Sequence, residues 1–203
     1  MALTLVVAPG REPITIEEAK IQARVTHTRD DLFLDEVVIP GVRDRAELAT
    51  MRQLITATWA ETFDDWPCEG YIEVPRPPLQ SVSSITYVDP AGVTQTWSPS
   101  LYVVDAPAGP RATRGRIAPA HGQSWPSVRM QLNAITVTFI AGYGDEPKDV
   151  PPLLRRAMLL DLGTMYEHRE DLVAGMVVNE LPVRSATVYQ SFKCRPTQRR
   201  LAS

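Results

Sequence analysis

The chain has 203 residues, of which 44% are apolar and 22% are charged, and its formal net charge is −3. This length suffices for one large domain or two small ones that bury a core without disulfide support. No apolar run approaches the roughly 20 residues that span a bilayer. The two cysteines, Cys68 and Cys194, form no disulfide framework, and the charge excludes a generally basic nucleic-acid binder. We expect a folded protein of a reducing compartment, without a secretory signal or a membrane partner.

The N-terminal quarter predicts helices. Thr15 and Glu18 have the spacing of a capping box, in which each side chain satisfies a free backbone N–H of the first helical turn. Asp30-Asp31 suits the positive end of a second helix. Pro40-Gly41 lies inside that helix and predicts a kink or short break, because proline removes one hydrogen bond and clashes with the preceding turn. We assign residues 1–52 to N-terminal helices of a core.

The middle of the chain predicts an antiparallel β domain, which we assign to residues 53–147. Ten of the 18 prolines fall between Pro67 and Pro126, and all four tryptophans lie in this part of the chain. Short β-branched and aromatic runs alternate there with turn residues, as in antiparallel sheets. The predicted strands are Leu54–Phe63, Tyr71–Val74, Ser81–Val88, Val93–Trp97, Leu101–Val104 and Ile135–Phe139.

The pattern becomes helical again after residue 147. Asp149 followed by Pro151-Pro152 is typical of a helix start, since proline at the first helical position loses no hydrogen bond. We assign residues 148–192 to C-terminal helices and residues 193–203 to a basic tail. The predicted fold class is α+β: a core of about four helices with an antiparallel β domain inserted between the second and third long helices.

No pattern predicts catalytic, metal-binding or cofactor-binding residues. The three histidines, His27, His121 and His168, lie far apart and share no metal-ligand spacing. Cys68 has no histidine nearby in the sequence, and neither a nucleophile elbow nor a phosphate loop is present. We expect no cofactor and no enzyme, although distant residues could still assemble a small active site in the fold.

Aromatic residues on the predicted strands leave a second alternative open. Trp59, Tyr87, Trp97 and Tyr102 could form a nucleic-acid-binding or sugar-binding face. The competing interpretation is that they fill the core of the β domain. An exposed aromatic row flanked by arginines would favour binding.

Charge is distributed unevenly along the chain. The last 23 residues contain five basic residues and no acidic one, whereas the first 180 contain 24 acidic and 16 basic residues. A solvated terminus would explain this asymmetry, and so would a segment that docks on an acidic protein surface or on DNA phosphates. The candidate docking residues are Tyr189, Phe192, Lys193, Arg195, Arg199 and Arg200.

The order of motifs resembles one known family over residues 13–195. The motifs are Ile16–Lys20, Asp30-Asp31, Leu54–Trp59, Pro75–Val82, Ser84–Asp89, Phe139–Gly144, Asp149–Pro152 and Tyr166–Glu170. Each is weak alone, but together they resemble the head–tail connector (adaptor) proteins of tailed bacteriophages and phage-like particles. Pro40-Gly41 departs from the family pattern, in which small helix formers are more usual.

The resemblance implies a structural protein of the virion neck, assembled in the host cytoplasm, without catalytic residues. It implies a ring of twelve copies below the portal, extending the channel for double-stranded DNA without sequence recognition, with a stopper or tail protein downstream. We expect ring contacts at the proline-rich loops Pro75–Leu79 and Ala106–Arg116, and Tyr189 and Phe192 buried against the portal.

Overall fold

A computed structural model describes residues 2–167 and 184–195. These residues combine four helices with antiparallel sheets, which confirms a mixed fold of helix and antiparallel sheet. Within these residues, no helix is both long and apolar enough to cross a membrane.

Helix α1 (Ile16–Ala23) begins with the predicted capping box. The Thr15 hydroxyl accepts from the Glu18 N–H over 3.3 Å, and the Glu18 carboxylate accepts from the Thr15 N–H over 3.0 Å. Arg155 donates to the same carboxylate and to the Pro13 carbonyl, the latter over 3.1 Å. The cap therefore also ties α1 to α4 (Pro152–Glu167).

The second helix is irregular upstream of Pro40. It starts as α2 (Asp31–Phe33), passes through a π-helical segment (Leu34–Val38) and continues as α3 (Ile39–Thr50). Because Pro40 has no N–H, a regular α-helix would leave the carbonyl four residues earlier without its donor. The π-helical turn has a different hydrogen-bond spacing: the Ile39 N–H donates to the Leu34 carbonyl, five residues earlier. The predicted irregularity is confirmed.

In the described part of the chain, eight strands form two antiparallel sheets. The first has the order β1-β2-β8-β4-β5 and the second β3-β7-β6. Short 3₁₀ turns lie at Pro99–Leu101 and Pro147–Asp149. The strands are β1 (Ala2–Val7), β2 (Ala57–Phe63), β3 (Ile72–Val74), β4 (Leu79–Val88), β5 (Thr94–Thr96), β6 (Tyr102–Asp105), β7 (Gly115–Pro119) and β8 (Ile135–Ala141).

Strand β1 corrects the assignment of residues 1–52 to helices alone. It pairs with β2, placing Leu3 opposite Glu61 and Leu5 opposite Trp59, and forms one edge of the larger sheet. Strands β2 to β8 do lie between α3 and α4 in the sequence. The sheet nevertheless takes its first strand from ahead of α1, so the β part is not built from residues 53–147 alone.

Two apolar cores result. Leu34, Val42, Leu54, Leu154 and Met158 lie at the centre of the helical core. The β core includes Phe63, Ile85, Ile117, Val137 and Phe139, and every second residue of β8 is buried.

Gly142 follows β8 at the junction between the sheet and the helical part. Its φ is +136°, and a Cβ there would lie 2.6 Å from the Thr56 backbone nitrogen. Only glycine allows this close approach of two chain segments.

Candidate docking surface

Helix α5 (Arg184–Phe192) is held on the helical core by Tyr189. The Tyr189 side chain is buried, and its hydroxyl donates to the Asp161 carboxylate of α4 over 2.9 Å. The Arg45 guanidinium lies 3.5 Å from the same carboxylate oxygen. Burial and the Asp161 charge together raise the pKa of Tyr189. The hydrogen bond between Tyr189 and Asp161 therefore attaches α5 to α4.

The end of α5 is held by a buried arginine. Arg52 is 2% exposed; its Nε donates to the Phe192 carbonyl over 2.6 Å, and its Nη1 donates to the Ala112 carbonyl over 2.8 Å. A second guanidinium, that of Arg111, lies 5.3 Å from the centre of the Phe192 ring. Hydrogen bonds from a charged donor are stronger than neutral ones. Arg52 therefore joins the helix end to the loop that precedes β7.

The backbone beyond α5 continues along the end of α3. The Cys194 N–H donates to the Thr50 carbonyl over 2.9 Å, and the Cys194 side chain is buried. Lys193 and Arg195, on either side of it, are exposed. The structure thus presents two exposed cations beside the end of α3.

The six predicted docking residues therefore separate into three groups. Tyr189 and Phe192 are 2% and 5% exposed and fill the chain's own core. The expected burial of these two rings against a portal does not fit this packing, because their apolar surface is already covered. Lys193 and Arg195 are exposed, and their docking role stays a prediction. Arg199 and Arg200 lie outside the described residues.

The two proline-rich loops differ in accessibility. Pro77 and Pro78 are buried and joined by a cis peptide bond, whereas Pro75 and Arg76 of the same segment are partly exposed. Pro110 and Arg111 of the other loop are exposed. The Tyr143 hydroxyl donates to the Pro110 carbonyl over 2.7 Å. Both loops therefore keep candidate contact residues, Arg76 in the first and Pro110 and Arg111 in the second.

The aromatic residues of the β part form a packed cluster. Trp66 stacks on Trp125 with ring centroids 4.5 Å apart, and Trp97 lies within 6 Å of both. Trp97 and Tyr102 are buried, and the Trp66 indole donates to the Pro126 carbonyl over 2.7 Å. These rings support the sheets, which favours the core interpretation over a binding face.

The part of the chain that the structure describes contains no group of three metal-ligating side chains. His27 and His121 are exposed and lie on separate loops, and His168 lies outside the described residues. A 640 Å³ cavity is lined largely by proline, alanine and glycine, with Gln80, Lys148 and Asp149 as its main polar side chains. This lining offers no nucleophile paired with a base.

A second concave surface lies between β1, β2 and α3. It has a volume of 310 Å³ and includes Leu5, Leu48, Trp59 and Arg76; we call these four residues the Trp59–Arg76 groove. The Arg76 guanidinium lies 4.9 Å from the Trp59 ring centre. Neither sequence periodicity nor charge indicated this groove, because its residues come from four separate segments.

Hydrogen bonds that are buried or partly buried fix the floor of the groove. The Trp59 indole donates to the Gln53 side chain over 2.9 Å, and the Gln53 amide donates to the Glu47 carboxylate over 2.8 Å. The Leu54 N–H donates to the same Glu47 oxygen over 3.0 Å. Burial raises the pKa of Glu47 to about 7. The Trp59 ring is therefore held rigidly at the surface.

No family model matches this sequence, and no curated protein matches it. Solved structures do match. A chain in the "Neck of empty GTA particle computed with C6 symmetry" is 20% identical, with a TM-score of 0.77 over 97% of both chains. This chain has the fold of a protein in a gene transfer agent neck.

Two further structures match over the same extent of both chains, 97%. One is the "Virion of native gene transfer agent (GTA) particle", at 21% identity and a TM-score of 0.75. The other is the "Neck of native GTA particle computed with C12 symmetry", at 20% identity and a TM-score of 0.70. These structures agree with the predicted resemblance to connectors of phage-like particles. What they share with this chain is the fold.

Proposed function

We propose that this chain is a head–tail connector of a phage-like particle. It forms a ring below the portal, extends the channel for double-stranded DNA without reading its sequence, and joins the head to a stopper or tail protein. One observation carries the proposal: the fold matches chains of particle necks from end to end, over 97% of both chains. The role is structural, in the virion neck after assembly in the host cytoplasm, and needs no catalysis or cofactor.

The proposed copy number is twelve. Neck structures that contain similar chains were computed with sixfold and twelvefold symmetry. A ring of twelve copies is compatible with both, because a twelvefold axis is also a sixfold axis. A ring needs two different surfaces that complement each other, since head-to-tail contacts close cyclic assemblies.

A particle-producing strain without this chain tests the proposal. A connector is needed after DNA packaging and before tail attachment, so the strain should accumulate heads without tails. Restoring the chain should restore tailed particles. Normal numbers of tailed, infective or DNA-transferring particles in its absence would contradict the proposal.

We further propose that Lys193, Arg195, Arg199 and Arg200 pair with acidic groups of the portal. Lys193 and Arg195 are exposed on either side of Cys194, whose N–H donates to the Thr50 carbonyl. Arginine is also well suited to phosphates, so contact with channel DNA is the competing use of the same residues.

Substitution separates the two uses better than truncation. Removing the residues after Gln190 would delete Phe192 from the core and unfold the end of α5. A variant with all four cations replaced by alanine leaves that core intact. It should lose affinity for empty portals, whereas a control with Arg11, Arg24, Arg29 and Arg129 replaced should bind as wild type. Wild-type binding to empty portals with loss of DNA retention alone would favour the channel use.

A further inference from the structure

The irregular second helix, formed by α2, the π-helical segment and α3, carries an exposed leucine near each of its ends. Leu32 is 71% exposed and Leu48 is 77% exposed. They are 16 residues apart, which corresponds to about 24 Å along a helix at 1.5 Å per residue. Exposed leucines beside other exposed apolar residues indicate contact surfaces more strongly than isolated ones.

The surroundings of Leu32 are acidic. Asp35, Glu36 and Val37 are all exposed, and neither acid forms an ion pair within the described ranges. We call Leu32, Asp35, Glu36 and Val37 the acidic knob. It lies at the start of the helix and places exposed apolar and anionic groups side by side.

The surroundings of Leu48 differ in shape and in available charge. Leu48 lines the Trp59–Arg76 groove, which is large enough to take an aliphatic side chain. The Arg76 guanidinium lies over the Trp59 ring, with no carboxylate within ion-pair distance among the residues that the structure describes. The other lining charges are already engaged: Arg43 binds Asp44 over 3.0 Å, and Glu47 accepts two hydrogen bonds.

We infer that the acidic knob of one copy docks into the Trp59–Arg76 groove of the next copy. This inference rests on the proposed ring function and names the surfaces that close the ring. Leu32 would lie against Leu48 and Trp59, while Glu36 would pair with Arg76. Tryptophan and arginine are the residue types that most often dominate binding energy in interfaces.

The arrangement favours a ring over a twofold dimer. A dimer in which the groove meets its own copy would bring two Arg76 cations together, and one built on the knob would bring its carboxylates together. Like charges in an interface oppose association. Knob and groove are distinct surfaces, so their contact is head-to-tail and leaves each copy able to bind two neighbours.

Charge reversal tests the contact. Arg76→Glu and Glu36→Arg should each weaken self-association about tenfold or more, measured by sedimentation and light scattering. An equimolar mixture of the two variants should regain rings, because each reversed groove then meets a reversed knob and each unaltered groove an unaltered knob. The double variant should regain rings alone. Arg129→Glu and Glu17→Arg, at exposed positions outside both surfaces, are the matched controls.

Cross-linking tests proximity even where association is weak. Leu32→Cys combined with Leu48→Cys, in a Cys68→Ser background, should give a ladder of disulfide-linked multiples under oxidation. Each single variant should give none beyond background. Glu17→Cys combined with Leu48→Cys is the control pair.

The outcomes separate this inference from the proposed function. Rings that form normally in both charge-reversal variants, or a cysteine pair that gives no ladder, would overturn the knob–groove contact and leave the neck role intact. Wild-type protein that forms no ring, alone or on its portal, would overturn both. Association only in the presence of DNA would assign the groove to nucleic acid and overturn the contact.

Discussion

Arg52 donates from its buried guanidinium to the Phe192 carbonyl over 2.6 Å, across 140 positions of the sequence. The same side chain reaches the Ala112 carbonyl. It therefore joins the end of α5, the loop before β7 and the end of α3 at one point. Because Phe192 immediately precedes Lys193, the positions of Lys193 and Arg195 depend on Arg52.

Replacing Arg52 should destabilise the fold. Arg52→Met keeps most of the side-chain volume but leaves two buried carbonyls without their donor. Each lost hydrogen bond from a charged group costs about 1.5–3 kcal/mol, so the loss of two should lower the free energy of unfolding by about 3–6 kcal/mol in urea denaturation. Arg11→Met removes an exposed ion pair with Glu146 and should cost less than about 1 kcal/mol. Equal effects of the two substitutions would show that Arg52 does not hold the helix end.

Tyr189→Phe tests the attachment of α5 to α4. The substitution keeps the buried ring but removes the only hydroxyl that donates to Asp161 in the described structure. Leaving a buried carboxylate without that donor should lower the free energy of unfolding by about 1–3 kcal/mol. Tyr71→Phe, on a partly exposed ring, should change it by less than about 0.5 kcal/mol. A neutral Tyr189→Phe would contradict the assigned role of this hydrogen bond.

Stability should fall as the pH rises from about 4.5 to 7. Burial raises the pKa of Glu61 from its ordinary value of 4.5 to about 7, and its Oε2 has no hydrogen-bond partner in the described part of the chain. In that interval the folded state holds a proton that the unfolded state has released, so raising the pH favours unfolding. Well above pH 7 the contribution of Glu61 to the free energy of unfolding no longer changes with pH.

Glu61→Gln isolates this contribution by mimicking the protonated side chain. The variant should be more stable than the wild type at pH 8 by about 1–3 kcal/mol and close to it at pH 5, as measured by denaturation at each pH. Glu17→Gln, at an exposed site, should have the same free energy of unfolding as the wild type at every pH. Equal pH profiles for Glu61→Gln and wild type would contradict a raised pKa at Glu61.

Gly142→Ala should loosen the junction between the sheet and the helices. The new methyl group would meet the Thr56 backbone at 2.6 Å, and backbone cannot move aside as a side chain can. The expected cost is about 1–3 kcal/mol, seen as a lower thermal midpoint. At Gly10 a Cβ would meet no atom within 4 Å, so Gly10→Ala should be nearly neutral. Matching midpoints for the two variants would contradict the close approach.

Features that depend on neighbouring residues could be predicted from the sequence. The Thr15–Glu18 box, the irregularity before Pro40 and the alternation in β8 each depend on local chemistry, and the structure confirms them. Strand β1 was missed because it has no partner nearby in the sequence: β2 begins 50 residues after β1 ends. The residues of β1 are also all exposed at the edge of the sheet, so its sequence does not alternate between buried apolar and exposed polar residues.

The docking surface could be predicted only in part. Excess positive charge near the C-terminus indicated Lys193 and Arg195, which are exposed as expected. Helical spacing also grouped Tyr189 with Phe192, but nothing in the sequence distinguished a surface for a partner from a surface for the chain's own core. Arg52 lies between a helix and a strand, where arginine is ordinarily exposed, and only the fold reveals the carbonyls that surround it.

Electron microscopy of the purified chain bound to its portal tests the central claim most directly. We predict a closed ring of twelve identical copies, coaxial with the portal, with an open channel along the axis and the C-terminal segments directed toward the portal. A complex in which this chain binds as single copies or isolated dimers, or no complex at all, would contradict the connector role.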